Sequence, residues 1–376
     1  MTDQPVPAAT AKPRKQEQEP ATEEITEVAP GVLRSELPID LPGLGHVNCY
    51  LLEDDRGVAV VDPGLPEKAS YVALEARLTA AGFPLKRVHT IIITHSHHDH
   101  FGGAGWLREQ SGAEIVTHSS FRMMWDPTEA PDVDVEASVE DGVDQDETAL
   151  DSQDQALQNP RRFPWDPTPW GGPGMSIPLK RRMWFRAARR FPNMRKMPQP
   201  TVRLDEAETI SLARRDWIAI HTPGHTHDHL CLFDPVGGAM LCGDHVLPSI
   251  TPHIGGMGET NKDPLGLFFQ SLDKVGSYGP QVTVALPAHG KPFADLAGRA
   301  QAIKEHHFGR LEKLRTTSIE LDRPASVMEM STHLFSARAQ GTMADSECYA
   351  HLEHLRLKGE MERRSTDGVF EYVVAG

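Results

Sequence analysis

The sequence predicts a mixed α/β (α+β) fold ending in a small winged-helix-like unit. Short β-branched stretches bounded by turn residues alternate with segments that carry one apolar helical face. The last stretch of about 70 residues reads helix, helix, helix, hairpin, a variant of helix-turn-helix architecture. At roughly 150 residues per domain, 376 residues suggest one large domain and something smaller.

Residues 1–22 are rich in Pro, Gln, Glu, Ala and Lys and read as a disordered tail, with too little apolar surface to offset ordering entropy. They have no apolar core and so do not read as a secretory signal. ITEVAPGVLRSEL, HVNCYLLED and GVAVVDPG read as strands of an antiparallel run. Pro66 opens a helix over EKASYVALEARLTAAG, with Gly82 as its stop. VHTIIITH is a buried strand, GGAGWLREQ a helix and AEIVTHS a strand. Residues 122–200 read as an insertion, part helix and part disorder. Its first part, Asp126 to Pro160, lacks Lys and Arg, whereas from Arg161 to Lys196 Asp166 is the one acid. Within it, Leu179, Met183, Ala187 and Phe191 form an apolar stripe on a basic helix from Pro178 to Arg190, expected near the mouth of the site described below. Strands return at TVRL, ETISL, WIAIHT, HLCLFDP, GAMLCGDH and QVTVALPAHG. A helix follows from about Asp295, and the winged-helix-like unit is placed at 304–376, after a main domain at 23–303.

Composition narrows the function. No stretch approaches the roughly 20 apolar residues of a membrane span. A net charge of −15 disfavours a whole-protein grip on nucleic acid. Four scattered cysteines exclude a cysteine zinc ribbon and suit a reducing, cytoplasmic setting. The informative count is 19 histidines, many of them clustered.

Residues 95–100 read His-Ser-His-His-Asp-His after an apolar strand and before Gly102-Gly103. A strand end opening into a loop aims several side chains at one point, and imidazole with carboxylate suits zinc and its first-row neighbours. His225 in HTPGHTHDH, Asp244 in LCGDH and His289 in LPAHGKP also follow apolar runs beside glycine or proline.

Together with Asp62 in VVDPG, this ordered set resembles the metallo-β-lactamase superfamily over roughly residues 25–300, outside the insertion. The resemblance implies an αββα sandwich with a dinuclear site at one edge of two sheets. It implies His95, His97 and His225 on the first metal, Asp99, His100 and His289 on the second, and Asp244 bridging. Asp62 would support the site without ligating. Two divalent ions, zinc by default with iron or manganese suited to the same residues, would turn a bridging water into a hydroxide nucleophile. Asp99 would also orient that hydroxide and accept its proton, so Asp99 and Asp244 are the candidate catalytic carboxylates. Among the neighbours, His98 is expected to point away, and His227 and His229 to support the ligands or the fold without ligating. His118, His221 and His245 are expected to pack or hydrogen-bond, and Cys242 to be an inert buried thiol.

A bridging aspartate resembles the glyoxalase II, lactonase, thioesterase and ribonuclease branches rather than the antibiotic-hydrolysing one. The C-terminal unit and the run Gly243 to Gly255 resemble the LACTB2-like group. The expected activity is hydrolysis of a thioester or ester of a small to medium organic acid. Single-strand endoribonuclease or lactonase activity is the alternative, and a metal-stabilised scaffold is a third reading. The helix ECYAHLEHLRLKG mixes acids and bases, which disfavours nucleic-acid reading and suits a wall of the site or a dimer contact.

Overall fold

The computed structural model describes residues 15–122, 165–190, 199–256 and 263–376. Tight turns join β1 (Thr26–Ala29), β2 (Val32–Leu41), β3 (Leu44–Asp54) and β4 (Gly57–Val61) into an antiparallel run. Parallel pairing then needs crossovers. Helix α1 (Lys68–Ala80) leads to β5 (Val88–Ile92), and α2 (His98–Phe101) and α3 (Ala104–Ser111) lead to β6 (Glu114–His118). Helix α4 (Leu179–Arg190) precedes β7 (Val202–Leu204), which closes a seven-stranded sheet in chain order. A second sheet has the order β12-β11-β10-β9-β8. Its strands are β8 (Thr209–Leu212), β9 (Arg215–His221), β10 (Leu230–Phe233), β11 (Ala239–Gly243) and β12 (Val284–Pro287). Strands β11 and β12 pair parallel across helix α5 (Pro264–Ser277).

Strand periodicity sorts side chains into layers. Along β3, Cys49 and Leu51 face Leu74, Leu78 and Leu107 of α1 and α3, while Tyr50 and Leu52 face the other sheet. On β10, Leu230 and Leu232 fill that inter-sheet core with Trp217 and Leu241, while Cys231 and Phe233 face outward onto Phe268 and Leu272 of α5. Two packed sheets with helices on both outer faces make the αββα sandwich that the sequence predicts.

Helix α6 (Leu296–Leu321) continues without a break past position 304, where the sequence places a domain division. After it come β13 (Ala325–Ser326), α7 (Val327–Leu334), α8 (Thr342–Leu357), β14 (Met361–Thr366) and β15 (Val369–Val374). The three strands form a small sheet in the order β13-β15-β14. Leu352, Leu355, Phe370 and Tyr372 share one apolar cluster with Phe268 and Ile303, so this end of the chain packs onto the outer face of the second sheet.

Three elements differ from the sequence reading. Helix α5 was not anticipated, although Asp263 caps it by accepting from the Gly266 N–H at 2.8 Å and Pro264 occupies its first turn. Residues 15–22, expected in the tail, are seated on the fold: the carboxylate of buried Glu17 accepts from the Ser249 N–H (2.7 Å) and the Ile250 N–H (3.1 Å). Within the insertion, Trp170 is buried against Tyr349 (ring centroids 5.0 Å apart). The acidic run at 126–160 lies outside the described residues. The basic helix exists as α4, with Arg182 and Arg186 over the Trp165 ring. Its stripe residues Leu179 and Met183 are exposed rather than packed.

Candidate metal centre

Strands β4, β5, β9, β11 and β12 all end at one edge of the sandwich, and the residues just beyond those ends carry the chemistry. They supply Asp62, then Thr94 to His100, His225, Asp244 and His289. Two groups of ligand atoms converge there: His95, His97, His225 and Asp244 in one, Asp99, His100 and His289 in the other. All seven candidate ligands named from the sequence therefore meet.

In the first group, His97 Nδ1 lies 3.0 Å from His95 Nε2 and 3.1 Å from His225 Nε2. In the second, Asp99 Oδ2 lies 3.4 Å from His100 Nε2 and 3.5 Å from His289 Nε2. Asp244 touches both: Oδ2 is 3.6 Å from His225 Nε2, 3.6 Å from His100 Nε2 and 3.9 Å from His95 Nε2, and Oδ1 is 3.3 Å from His289 Nε2. Ligands about 2.0–2.1 Å from a tetrahedral ion stand about 3.3 Å apart, the middle of this range.

The donor set fits cations on two further grounds. His100 Nε2, His289 Nε2 and Asp244 Oδ1 are buried without a hydrogen-bond partner, a costly arrangement unless something else satisfies them. Electrostatics agrees. Burial alone would lower the pKa of His100, yet Asp99, Asp244 and Asp62 raise it well above the ordinary value. The same contest, with Asp244 and Asp99 outweighing burial, lifts His289 to about 10. Conversely, burial and neighbouring imidazoles hold His97 down to about 3 and His95 well below the usual range. The carboxylates of Asp99 and Asp244 stay ionised despite burial because His100 and His289 face them. Without metal, protons supply the positive charge that the pocket demands.

Surrounding hydrogen bonds fix which ring nitrogen faces inward. Asp62 Oδ1 accepts from the Thr94 N–H (2.9 Å), and Oδ2 accepts from Thr94 Oγ1 (2.8 Å) and from His100 Nδ1 (2.9 Å). Thr94 Oγ1, its proton already given, accepts from His95 Nδ1 at 3.0 Å. One carboxylate thus turns Nδ1 of both His95 and His100 away from the site and leaves Nε2 of each facing into it. His289 Nδ1 donates to the His46 carbonyl (2.6 Å), and His225 Nδ1 donates to the His253 carbonyl (2.7 Å). His229 Nε2 accepts from the Asp244 N–H (3.1 Å), and its Nδ1 pairs with Thr222 Oγ1 (2.7 Å). Gly243 makes that approach possible: at φ 49°, a Cβ there would lie 2.5 Å from His229 Nε2.

The other singled-out residues stand apart. His98 is exposed beside Phe101. His227 Nε2 donates to the Ser120 carbonyl (3.0 Å), and His118 stacks on His221 with centroids 3.8 Å apart. His245 packs edge-on against Phe268. Cys242 is buried and its thiol pKa is pushed well above the usual range by burial. Sequence reasoning missed Thr94 and the carbonyls of His46 and His253. A threonine beside the first histidine was a weak signal, and a carbonyl has none.

Known proteins place this geometry. The sequence profile of the metallo-beta-lactamase superfamily matches residues 42–285. A Bacillus subtilis (strain 168) protein named "Probable metallo-hydrolase YqjP" is 24% identical over 324 residues, covering 83% of this chain and 88% of that one. An atrochrysone carboxyl ACP thioesterase of Emericella nidulans is 30% identical over 96 residues, which is 26% of this chain and 28% of that protein. A metallo-beta-lactamase family protein from Thermus thermophilus superposes with TM-score 0.67 at 27% identity, covering 93% of this chain and 100% of that one. A beta-lactamase domain protein from Burkholderia ambifaria shares the fold, with TM-score 0.67, 24% identity, and 94% and 96% coverage. The chain belongs to the metallo-beta-lactamase superfamily and is a metal-dependent hydrolase.

Proposed function

We propose that the protein is a dinuclear zinc hydrolase of acyl thioesters or esters. The observation that carries the dinuclear reading is the Asp244 carboxylate, whose two oxygens face histidines of both ligand groups at 3.3–3.9 Å. His95, His97 and His225 would hold one ion, Asp99, His100 and His289 the other, with Asp244 shared. Divalent ions bound there supply Lewis acidity, lowering the pKa of a water and polarising the scissile carbonyl. The chain supplies the rest. Asp62 and Thr94 hold His95 and His100 in the ligating tautomer. Asp99, buried beside His100 and His289 with Oδ2 3.4–3.5 Å from their Nε2 atoms, is the carboxylate that would accept the proton of the attacking water.

The thioester preference rests on the local similarity to the ACP thioesterase of Emericella nidulans. We read residues 304–376, the later part of α6 with α7, α8 and the small sheet, as a winged-helix-like unit that walls the site. The burial of Ser346 to Leu355 leaves α8 little free surface for a nucleic-acid groove, which disfavours the ribonuclease alternative. The test is metal analysis of the purified protein together with an ester, thioester, lactone, phosphodiester and RNA panel. Two zinc ions and fastest turnover of a thioester or ester support the proposal, and RNA cleavage without acyl hydrolysis overturns it.

A further inference from the structure

His225 lies in the loop between β9 and β10, where no ladder fixes its ring. Its Nδ1–H is aimed by one acceptor, the His253 carbonyl at 2.7 Å. That carbonyl sits in the irregular stretch 251–256, so something else must hold it. Helix α8 does so at several points. The Glu347 carboxylate faces the His253 ring, Oε2 to Nδ1 at 3.6 Å. The Gly256 N–H donates to the Ser346 carbonyl at 3.3 Å. Both glycines allow this closeness: a Cβ at Gly256 would lie 2.8 Å from the Tyr349 ring, and one at Gly255 2.7 Å from Ser346 Oγ.

Glu347 is itself held rigidly. It is buried and ion-paired with Arg310 of α6. Its backbone carbonyl accepts from His351 Nδ1 (2.7 Å), and His351 Nε2 in turn accepts from His307 Nδ1 (3.0 Å). His307, Glu347 and His351 converge closely enough to hold an ion. The Arg310 guanidinium already neutralises Glu347, and the imidazole–imidazole bond uses the facing lone pair. We read the cluster as an anchor for Glu347.

We propose that Glu347 is a positioning residue for His225, acting through His253, so that the C-terminal helices set the affinity of the metal position shared by His95, His97 and His225. This rests on the dinuclear reading above. Ligand-supporting groups of this kind are worth about 10–100-fold in metal affinity. The test uses full-length protein, Zn2+ alone as probe, and the variants Glu347→Gln and Gly256→Ala. Chelator competition reads the two zinc affinities, and ring 15N NMR of metal-free protein reads the His225 tautomer. Both variants should weaken one zinc by about 10–100-fold, spare the other and shift the His225 resonance. In a His225→Ala background, Glu347→Gln should cost little more. A fall in melting temperature with the His225 resonance and both affinities unchanged would reduce Glu347 to a structural anchor and overturn the proposal. Equal weakening of both zinc ions would overturn it too. A wild type that binds fewer than two zinc ions would instead overturn the dinuclear reading, leaving the His225 resonance to decide on Glu347.

Discussion

Asp62→Asn changes one oxygen into an amide NH2 while keeping size and shape. Asn readily adopts the left-handed backbone that Asp62 uses, φ 54°. The Thr94 N–H points at Oδ1, so the amide oxygen must stay there. The new NH2 then occupies the place of Oδ2, facing Thr94 Oγ1 at 2.8 Å and His100 Nδ1 at 2.9 Å. Both partners must reverse. His100 becomes an acceptor at Nδ1 and carries its proton on Nε2, which blocks that lone pair. Thr94 now accepts from the amide and donates to His95 Nδ1, moving the His95 proton to Nε2 as well. One atom therefore puts a proton on a ligating nitrogen in each metal position. At about 10–100-fold per position, the loss is about 1.4–2.8 kcal/mol each. Chelator competition with zinc measures it, and ring 15N NMR of the metal-free chain reads the His95 tautomer. A folded Asp62→Asn protein with wild-type affinity for both ions and an unchanged His95 tautomer would refute this reasoning.

Asp244→Ala should lower zinc content below two per chain and reduce hydrolysis by roughly 10³-fold, checked by metal analysis and steady-state rates. Asp99→Asn should lower kcat by about 10²–10⁴-fold with a far smaller change in KM; parallel losses at constant metal content would remove its proton-accepting role. The raised pKa values mean that His100 and His289 are protonated at neutral pH in the metal-free chain. Zinc binding should then release about two protons per chain near pH 7, read by calorimetry in buffers of different ionisation enthalpy. For stability the sign follows from the raised value. The His289 contribution to the metal-free fold is complete below the ordinary histidine range and fades as pH climbs through about 10, so the metal-free melting temperature should fall on the alkaline side.

Much of this was legible because side-chain chemistry and strand periodicity both leave marks in sequence. The alternation in HVNCYLLED gives Leu51 to the helices and Leu52 to the other sheet, and apolar runs ending in His or Asp announce the site edge. Helix α5 carries a clear cap at Asp263-Pro264, but its glycines and phenylalanines mask the helical pattern. The anchoring of Glu17 on residues 249–250 was out of reach, since a local composition cannot announce a partner more than 200 positions away. The carbonyls that aim His225 and His289 belong to residues whose identity is irrelevant to the task.

The convergence of strand ends from both sheets has a mechanical consequence. The first sheet is built from residues up to Leu204 and the second from Thr209 onward, so the two halves of the sandwich share a short covalent bridge on one side. On the opposite count, His97 and His225 meet across 128 positions of chain. An ion gripped by both would act as a removable clasp, stabilising the folded chain because the unfolded one lacks the site. At a free metal concentration a thousand times its Kd, that binding is worth about 4 kcal/mol. A chelator would then do more than silence the enzyme: it would unclasp the two halves, and metal supply would govern how long the protein survives as well as how fast it works.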